Sequence, residues 1–464
     1  MQLNSLWLQA FVQLDSEDDA FMHEAFSLLG ELDKNILNGP YQARSAIARL
    51  IARLDRILSI QLDSILHHPD FRRLERNWLG LKGLASLPVN YQKTKLKMLN
   101  MSWQEVSSDV NQAYNTRSSS LYNKIGNKEL NTLGGQPFGC IAFTHSISLE
   151  MDLDADFDDL FTLELIGRLG EATLCPMIFS PGHDFFVNND ADWLSDVERI
   201  EKILNSADYQ IWQDLRAKPY SRFLGMAMPE ILVRSKYENV KVGFIYNESG
   251  SGLYGKAVFP FLSTVMREHH RVSWFGFLKS RWNDKRQGAV INLQSKKLAC
   301  EYLESPQTDV SLFGNLSNFY SEQGFMPLTK SPLTNKFYFN GNNSIWYNNG
   351  GDNDKVLCQI QTTMMCCRVA HYLKTQVREM IGSFNSATEC ESFLTRWIEK
   401  FTSNVAFANE ETLSRFPLSF ATVSVTESVV EPGSYACTVK IAPQYQYDYF
   451  NGEVILTTEL NETA

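Results

Sequence analysis

Two apolar runs joined by a helix-forming segment constrain the fold of this chain more than any other feature. PFGCIAFTHSISL begins at Pro137, and TLELIGRLGEATLCPMIFSPG begins at Thr162 with helical spacing before a second apolar strand. A strand, a helix and a strand in this order predict a β-α-β unit. NVKVGFIYN, from Asn239, predicts another strand, and AVFPFLSTVMREHHRVSW, from Ala257, predicts a helix that leads into a strand. FYFNGNNSIWYNNG, from Phe337, is interpreted as a turn-rich polar stretch. We therefore expect a central α/β domain over residues 85–350.

The first part of the chain has helical periodicity. Apolar residues recur at helix spacing from Asp18 to about Leu84, and Gly39 and Pro40 divide the pattern into two helices. Residues 1–84 are thus predicted to form an N-terminal helical region. Packing against the core is the simplest interpretation of the apolar stripe on the second helix. That stripe consists of Ile47, Leu50, Ile51, Leu54, Ile57, Leu58 and Leu62.

The character of the sequence changes after an Asn/Gly/Asp-rich stretch, and we place a boundary close to Gly351. Helices are predicted over 356–381 and 388–402. The rest is extended: FATVSVTESVV, a turn at 432–433, SYACTVKIAPQY and the closing EVILTTEL. Residues 351–464 are therefore predicted to form a C-terminal domain of helices followed by strands. The fold class expected for the whole chain is mixed α+β.

Composition excludes several classes of function. The net charge of -10 gives no general attraction to phosphate backbones, so no nucleic-acid partner is expected. The N-terminus lacks a basic region before its apolar stretch, and nowhere do about eighteen apolar residues follow one another, so we expect a cytoplasmic protein without membrane insertion. The eight cysteines form no CxxC pair, which argues against a disulfide framework or a zinc ribbon.

Motifs that suggest chemistry are incomplete. GSGLYGKA, Gly250 to Ala257, has the spacing of a phosphate-binding loop, but Ala257 replaces the hydroxyl that holds magnesium. The acidic run from Asp152 begins like a calcium loop but lacks its glycine and its final glutamate. SPGHD, Ser180 to Asp184, groups residues that seldom form a triad when they are neighbours in sequence. We therefore expect no enzyme: no catalytic residue, no cofactor and no metal.

One segment resembles a known signature. ILHHPDFRRLERNWLGLKGL, Ile65 to Leu84, is similar to the signature of the TssC/VipB family, the large subunit of the type VI secretion sheath. The matching residues are His67, His68, Pro69, Phe71, Leu74, Glu75, Trp78, Gly80 and Leu81.

Further matches follow in family order. PFGCIAF, MIFSPGHDFF, the segment from Ser206 to Arg234, TDVSL, GFMPL and the segment from Cys366 to Ile398 all resemble the family, as does the closing PGSYACTVKIAPQYQYD. The chain departs from the family pattern at Asp214 to Arg216, over Arg281 to Leu293, and at Phe223 and Glu230, which stand at a tyrosine and an arginine of the usual pattern. These departures indicate a divergent branch.

The resemblance implies a sheath-type fold and a structural function. It implies a mixed sheet flanked by helices, pairing with a small subunit of the TssB/VipA type, a helical polymer of copies, and contraction around an Hcp-like tube. Baseplate proteins and a ClpV-type ATPase are the further partners implied. The alternatives are a non-contractile adaptor or baseplate scaffold of the same system and, more remotely, a nucleotide-dependent enzyme that uses Gly250 to Lys256.

Three sets of residues are candidate contacts. The alternating closing strand suggests strand exchange with neighbours, although an ordinary edge strand explains it equally well; its residues are Val454, Ile455, Leu456, Thr457 and Thr458. Cys367, His371, Lys374 and Arg378 form a polar line on one helix, and the resemblance implies that this helix faces the tube, so Lys374 and Arg378 are either tube contacts or solvated residues. The first helix is either a handle for the ATPase or simply docks on the core; its candidate contacts are Phe26, Leu28, Leu29 and Leu32.

Overall fold

The computed structural model describes residues 16–32, 39–149, 158–186, 194–238, 240–275, 290, 292–293, 307–331, 336–347, 350–380, 386–403, 416–427, 435–443 and 453–460. The helices are α1 (Ser16–Leu32), α2 (Pro40–Leu66), α3 (Pro69–Ala85), α4 (Trp103–Gln112), α5 (Asp159–Thr173), α6 (Val197–Leu204), α7 (Gln210–Arg216), α8 (Val258–Val272), α9 (Gly314–Glu322), α10 (Asp352–Leu357), α11 (Ile360–Met380) and α12 (Ala387–Glu399). A π-helical segment spans Asn123–Leu130.

The strands are β1 (Ile141–Ile147), β2 (Met177–Pro181), β3 (Leu224–Met228), β4 (Ile231–Arg234), β5 (Val240–Val242), β6 (Phe244–Tyr246), β7 (Leu253–Gly255), β8 (Phe325–Lys330), β9 (Phe337–Phe339), β10 (Leu418–Glu427), β11 (Tyr435–Pro443) and β12 (Val454–Leu460). The chain forms two compact units. The first combines Met1–Glu75 with Arg234–Leu253, and the second combines Arg76–Val233 with Tyr254–Ala464. This division differs from the three predicted domains, which stay a prediction.

The first unit contains α1, α2 and a small antiparallel pair of strands. Helix α2 begins at Pro40, as the predicted break requires, because a first-turn proline sacrifices no helical hydrogen bond. The single strand predicted over NVKVGFIYN is wrong. Gly243 adopts a φ of 80°, which reverses the chain so that Val242 pairs with Phe244 in β5 and β6.

A five-stranded sheet forms the centre of the second unit. Its order is β1-β2-β3-β8-β9, with the first four strands parallel and β9 antiparallel at the edge. Successive side chains of a strand point to opposite faces. Phe179 of β2 accordingly packs in the core cluster that contains α5, whereas Ile178 packs with α8. The prediction of a mixed sheet flanked by helices is confirmed.

Two local predictions in this unit are wrong. The strand expected after α8 does not form over residues 273–275, because Ser273 ends the helix in a left-handed conformation with φ 63°. The stretch from Phe337, interpreted as turn-rich, begins with β9, which is held by antiparallel pairing with β8. Phe339 is fully buried, so packing rather than local polarity determines this strand.

The C-terminal part contains α11, α12 and a three-stranded antiparallel sheet. The strand order is β10-β11-β12, as the three extended segments predict. Val439, Ile441 and Leu394 are fully buried in the core between this sheet and α12. The predicted turn at 432–433 lies outside the described residues. Among the described helices none is long and apolar enough to cross a membrane.

Candidate functional site

The apolar stripe of α2 lies largely on the surface. Ile51, Leu54, Leu58 and Ile65 are 53%, 58%, 42% and 55% exposed. The expectation of core packing is wrong for Ile51, Leu54 and Leu58, which belong to the predicted stripe. The buried residues of α2 are Ala43 and Ala46 near its start and Leu66 at its end. The four exposed residues, here called the α2 seam, follow heptad spacing i, i+3, i+7, i+14, which suits knobs-into-holes packing against another helix. A continuous exposed apolar surface marks an interaction site.

Helix α1 covers only part of α2. Leu29 and Met22 pack against Ala43 and Ala46 of α2. Leu28 is 59% exposed and thus available to another molecule. The side chains of the other two candidate ATPase contacts, Phe26 and Leu32, lie outside the described ones.

Strand β12 pairs with β11 of the same chain in antiparallel register. Val454 and Leu456 pack against the C-terminal core, whereas Ile455 is 58% exposed and lies opposite Lys440. Thr457 and Thr458 continue the pairing through their backbones. One face of β12 therefore contributes to this core.

Half of the polar line on α11 is buried. Cys367 and His371 are 4% and 3% exposed. Lys374 donates to Asn131 Oδ1 at 3.3 Å, and Arg378 donates to the Leu130 carbonyl at 3.1 Å, so both pack along the π-helical segment. Burial, together with the nearby cations Arg378 and Arg117, lowers the pKa of Lys374. The three cations form a basic patch.

Two residues of the family-like signature, Glu75 and Gly80, make structural contacts. Glu75 accepts a hydrogen bond from Arg234 Nε at 2.6 Å, and Arg234 Nη1 donates to Glu248 at 2.7 Å. Gly80 leaves room for the Phe259 ring, which would lie 2.5 Å from an added Cβ. Glu75 and Gly80 therefore have structural roles, whereas Leu74 and Trp78 of the same signature are each 55% exposed.

The incomplete phosphate-loop motif does not form a loop that could bind phosphate. Leu253–Gly255 is the strand β7, and the helix that follows begins only at Val258. Lys256 is 3% exposed and forms an ion pair with Glu230. Its ammonium group is thus already neutralised.

A group of titratable side chains, here called the His183 cluster, lies at the carboxyl ends of β2 and β3. His183 follows β2, and Glu230 follows β3 after the cis peptide bond Met228–Pro229. His183 Nε2 lies 3.2 Å from Asp309 Oδ2 and 4.0 Å from Glu230 Oε2. Glu230 also pairs with Lys256. The cluster consists of His183, Glu230, Lys256 and Asp309.

The electrostatics of the cluster follow from burial and pairing. The hydrogen bond with Asp309 raises the pKa of His183, and burial raises the pKa of Asp309. Burial also raises the pKa of Glu230, but the Lys256 ammonium outweighs it and holds that pKa below its usual range.

The sequence motifs did not reveal this cluster, because its members come from four separate segments. The SPGHD motif groups a serine, a histidine and a carboxylate that are neighbours in sequence. In the structure, His183 pairs instead with Asp309 of the TDVSL segment. The positions of two members relative to the predicted strands do indicate the cluster. His183 and Glu230 each end an apolar strand, and the carboxyl ends of neighbouring parallel strands meet at one edge of a sheet.

Comparison with known proteins gives a consistent assignment. The EvpB/VC_A0108 tail sheath N-terminal domain matches residues 48–346, and the EvpB/VC_A0108 tail sheath gpW/gp25-like domain matches residues 349–460. The type VI secretion system sheath protein TssC1 of Pseudomonas aeruginosa is 25% identical over 440 residues, which cover 90% of this chain and 86% of that protein.

A crystal structure of the sheath tail protein from Desulfitobacterium hafniense aligns with 66% of this chain and 62% of its own, at 10% identity and a TM-score of 0.29. That likeness is too weak to carry a conclusion. The N-terminal family model alone, however, matches more than half of the 464 residues. The chain therefore belongs to the EvpB/VC_A0108 tail sheath family of type VI secretion systems.

Proposed function

We propose that this chain is the large subunit of a contractile sheath and acts as a structural protein, not as an enzyme. It pairs with a small sheath subunit of the TssB/VipA type, polymerises helically with copies of itself around an Hcp-like tube, and contracts to drive the tube outward. Family membership and the match to TssC1 along 90% of the chain support the proposal.

The α2 seam is the observation that carries this proposal. Fully burying one Leu or Ile side chain contributes about 1.5–3 kcal/mol. Four such side chains on one helix face would cost solubility if they stayed in water, and their heptad spacing suits an apolar helix of a partner subunit. A chain with such a seam is built to assemble.

The test is co-expression of the full chain with the small-subunit gene next to it, followed by negative-stain microscopy. We expect long tubules from the wild type. The double substitution Leu54→Glu and Leu58→Glu should abolish tubules and co-purification of the small subunit, since it places two charges in the seam. Arg56→Glu, on the opposite exposed face of α2, is the matched control and should leave assembly intact.

The microscopy also distinguishes a contractile sheath subunit from a non-contractile scaffold of the same system. Discrete particles in place of tubules would favour a non-contractile adaptor or baseplate scaffold. Equal assembly of the seam variant and Arg56→Glu would contradict the docking role of the seam.

We extend the proposal to three further contacts. Lys374 and Arg378 face the tube as part of the basic patch on α11. Residues 454–458 exchange with a neighbouring sheet. Helix α1 offers Leu28, with Phe26 and Leu32, to a ClpV-type ATPase, and Leu29, which packs against α2, becomes available when α1 detaches. Deletion of residues 1–32 should then leave tubules but stop their ATP-dependent disassembly in a turbidity assay. Baseplate proteins nucleate the polymer.

A further inference from the structure

We propose that the His183 cluster binds one divalent transition-metal ion, with the chemistry of Zn²⁺, through His183 Nε2, Glu230 Oε2 and Asp309 Oδ2. The proposal is independent of sheath assembly. An imidazole and two carboxylates are a ligand set that zinc accepts, with the fourth position left to water.

The ligand atoms are already close to the required positions. All three lie within 4.8 Å of one another. Ligands at about 2.0–2.2 Å in a tetrahedron are roughly 3.3 Å apart. The distances of 3.2 Å from His183 Nε2 to Asp309 Oδ2 and 4.0 Å to Glu230 Oε2 therefore need little adjustment. The ion would replace the hydrogen bond between His183 and Asp309.

Lys256 prepares Glu230 for this role. Its ammonium group pairs with Oε1, so that Oε2 faces His183. In metal sites, an outer-shell group typically forms a hydrogen bond with the carboxylate that binds the metal and thereby orients it. The divalent ion balances the two carboxylates, so that the ammonium group of Lys256, which is 3% exposed, leaves the site with one net positive charge.

The backbone fixes the third ligand. Asp309 N donates to the Glu230 carbonyl at 3.1 Å, and Leu232 N donates to the Gln307 carbonyl at 2.8 Å. These bonds hold the segment around Asp309 along the start of β4. Backbone hydrogen bonds therefore hold Asp309 in place, which a metal ligand requires.

An independent observation points to a missing ligand. The cluster borders a small cavity that is also lined by Ser180. Ser180 is 2% exposed, and its hydroxyl oxygen has no hydrogen-bond partner among the described residues. A buried hydroxyl without a partner costs about 1–3 kcal/mol. Water bound to the ion would satisfy it.

The metal would tie together the ends of β2 and β3 and the segment around Asp309. Its role is thus structural.

The experiment uses the full chain, stripped of metal with a chelator and titrated with ZnCl₂ by calorimetry. We expect one Zn²⁺ per chain. His183→Gln and Asp309→Asn should each weaken binding by at least about tenfold, because each removes a ligand. His145→Gln is the matched control, since His145 lies 3.0 Å from Asp159 in the same kind of pair, with no third ligand among the residues that the structure describes.

A second measurement on the wild type does not depend on the folding of variants. Co²⁺ in place of Zn²⁺ should give visible absorption bands of a protein-bound tetrahedral ion. Absence of stoichiometric Zn²⁺ binding, absence of these bands, or equal loss of binding in His145→Gln and His183→Gln would each overturn the proposal.

Discussion

The environment of His371 in the folded protein differs from the one that the sequence pattern predicts. In the sequence it belongs to a polar line that ends with Lys374 and Arg378, whereas in the structure it is 3% exposed. Burial, together with the positive charge of Arg368, lowers its pKa to about 4. The imidazole is therefore neutral in the folded protein at neutral pH and makes stability sensitive to acid.

The expected consequence is a loss of stability between pH 6.5 and about pH 4. In this window the unfolded chain takes up a proton at residue 371, whereas the folded chain does not, so each pH unit costs up to about 1.4 kcal/mol. His371→Gln removes this contribution. The thermal midpoint of the variant should fall less steeply with decreasing pH than that of the wild type.

The comparison is made by calorimetry at several pH values from 7 to 4. Parallel curves for the two proteins would contradict the assignment. His270→Gln is the control, because it removes a histidine that is exposed in the structure.

At the scale of elements, α3 and α8 meet through a glycine. A Cβ added at Gly80 would lie 2.5 Å from the Phe259 ring, whereas a Cβ at Gly83 of the same helix meets nothing within 4 Å. Replacement of these two glycines by alanine should therefore have opposite effects on stability.

We expect Gly80→Ala to destabilise the protein by about 1–3 kcal/mol, since the ring must move within a packed core. Gly83→Ala should stabilise it by up to about 1 kcal/mol, since alanine has the higher helix propensity. Thermal midpoints of the two variants, compared with the wild type, test the packing. A rise for both would show that Phe259 yields freely.

Strand exchange belongs to the same scale. Lys440 and Ile455 face each other across β11 and β12, so cysteines at both positions can be oxidised to a disulfide. If β12 exchanges between neighbours, oxidation of assembled tubules should give a ladder of covalent multimers on a non-reducing gel. Ile455→Cys alone is the control. Cross-linked single chains without multimers would mean that β12 stays in its own sheet.

At the scale of the whole molecule, a local basic patch contrasts with the acidic net charge. The net charge is -10, but Lys374, Arg378 and Arg117 form a basic patch on the second unit. An acidic tube surface would recognise such a patch by electrostatic complementarity. The α2 seam lies in the first unit.

Lys374→Glu combined with Arg378→Glu should abolish co-sedimentation of the tube with the sheath, because it replaces attraction by repulsion. The matched reversal Arg396→Glu, at an exposed position of α12, should not. Co-sedimentation that the double variant retains would refute the tube contact. A thermal midpoint close to that of the wild type confirms that the variant is folded, which matters because Lys374 and Arg378 also bond the segment near Asn131.

The sequence by itself determined the elements whose signals are local. Pro40 set the start of α2, the apolar runs at 141–147 and 177–181 set the parallel strands, and the alternation near the C-terminus set β10, β11 and β12. Periodicity is enough in such cases, since a strand or an amphipathic helix needs only its own residues to show its period. The family resemblance followed from motifs that are local as well.

Only the tertiary structure decided which faces are covered and which charges meet. The stripe on α2 is predicted to pack in the core, but the α2 seam is exposed, and the buried residues of the helix are Ala43, Ala46 and Leu66. His183, Glu230 and Asp309 come together because parallel strands end at one edge, although more than 40 residues separate each from the next. Periodicity shows that one face of a helix is apolar, but it does not show what covers that face. Sequence separation, in turn, says little about the distance between residues once a sheet has formed.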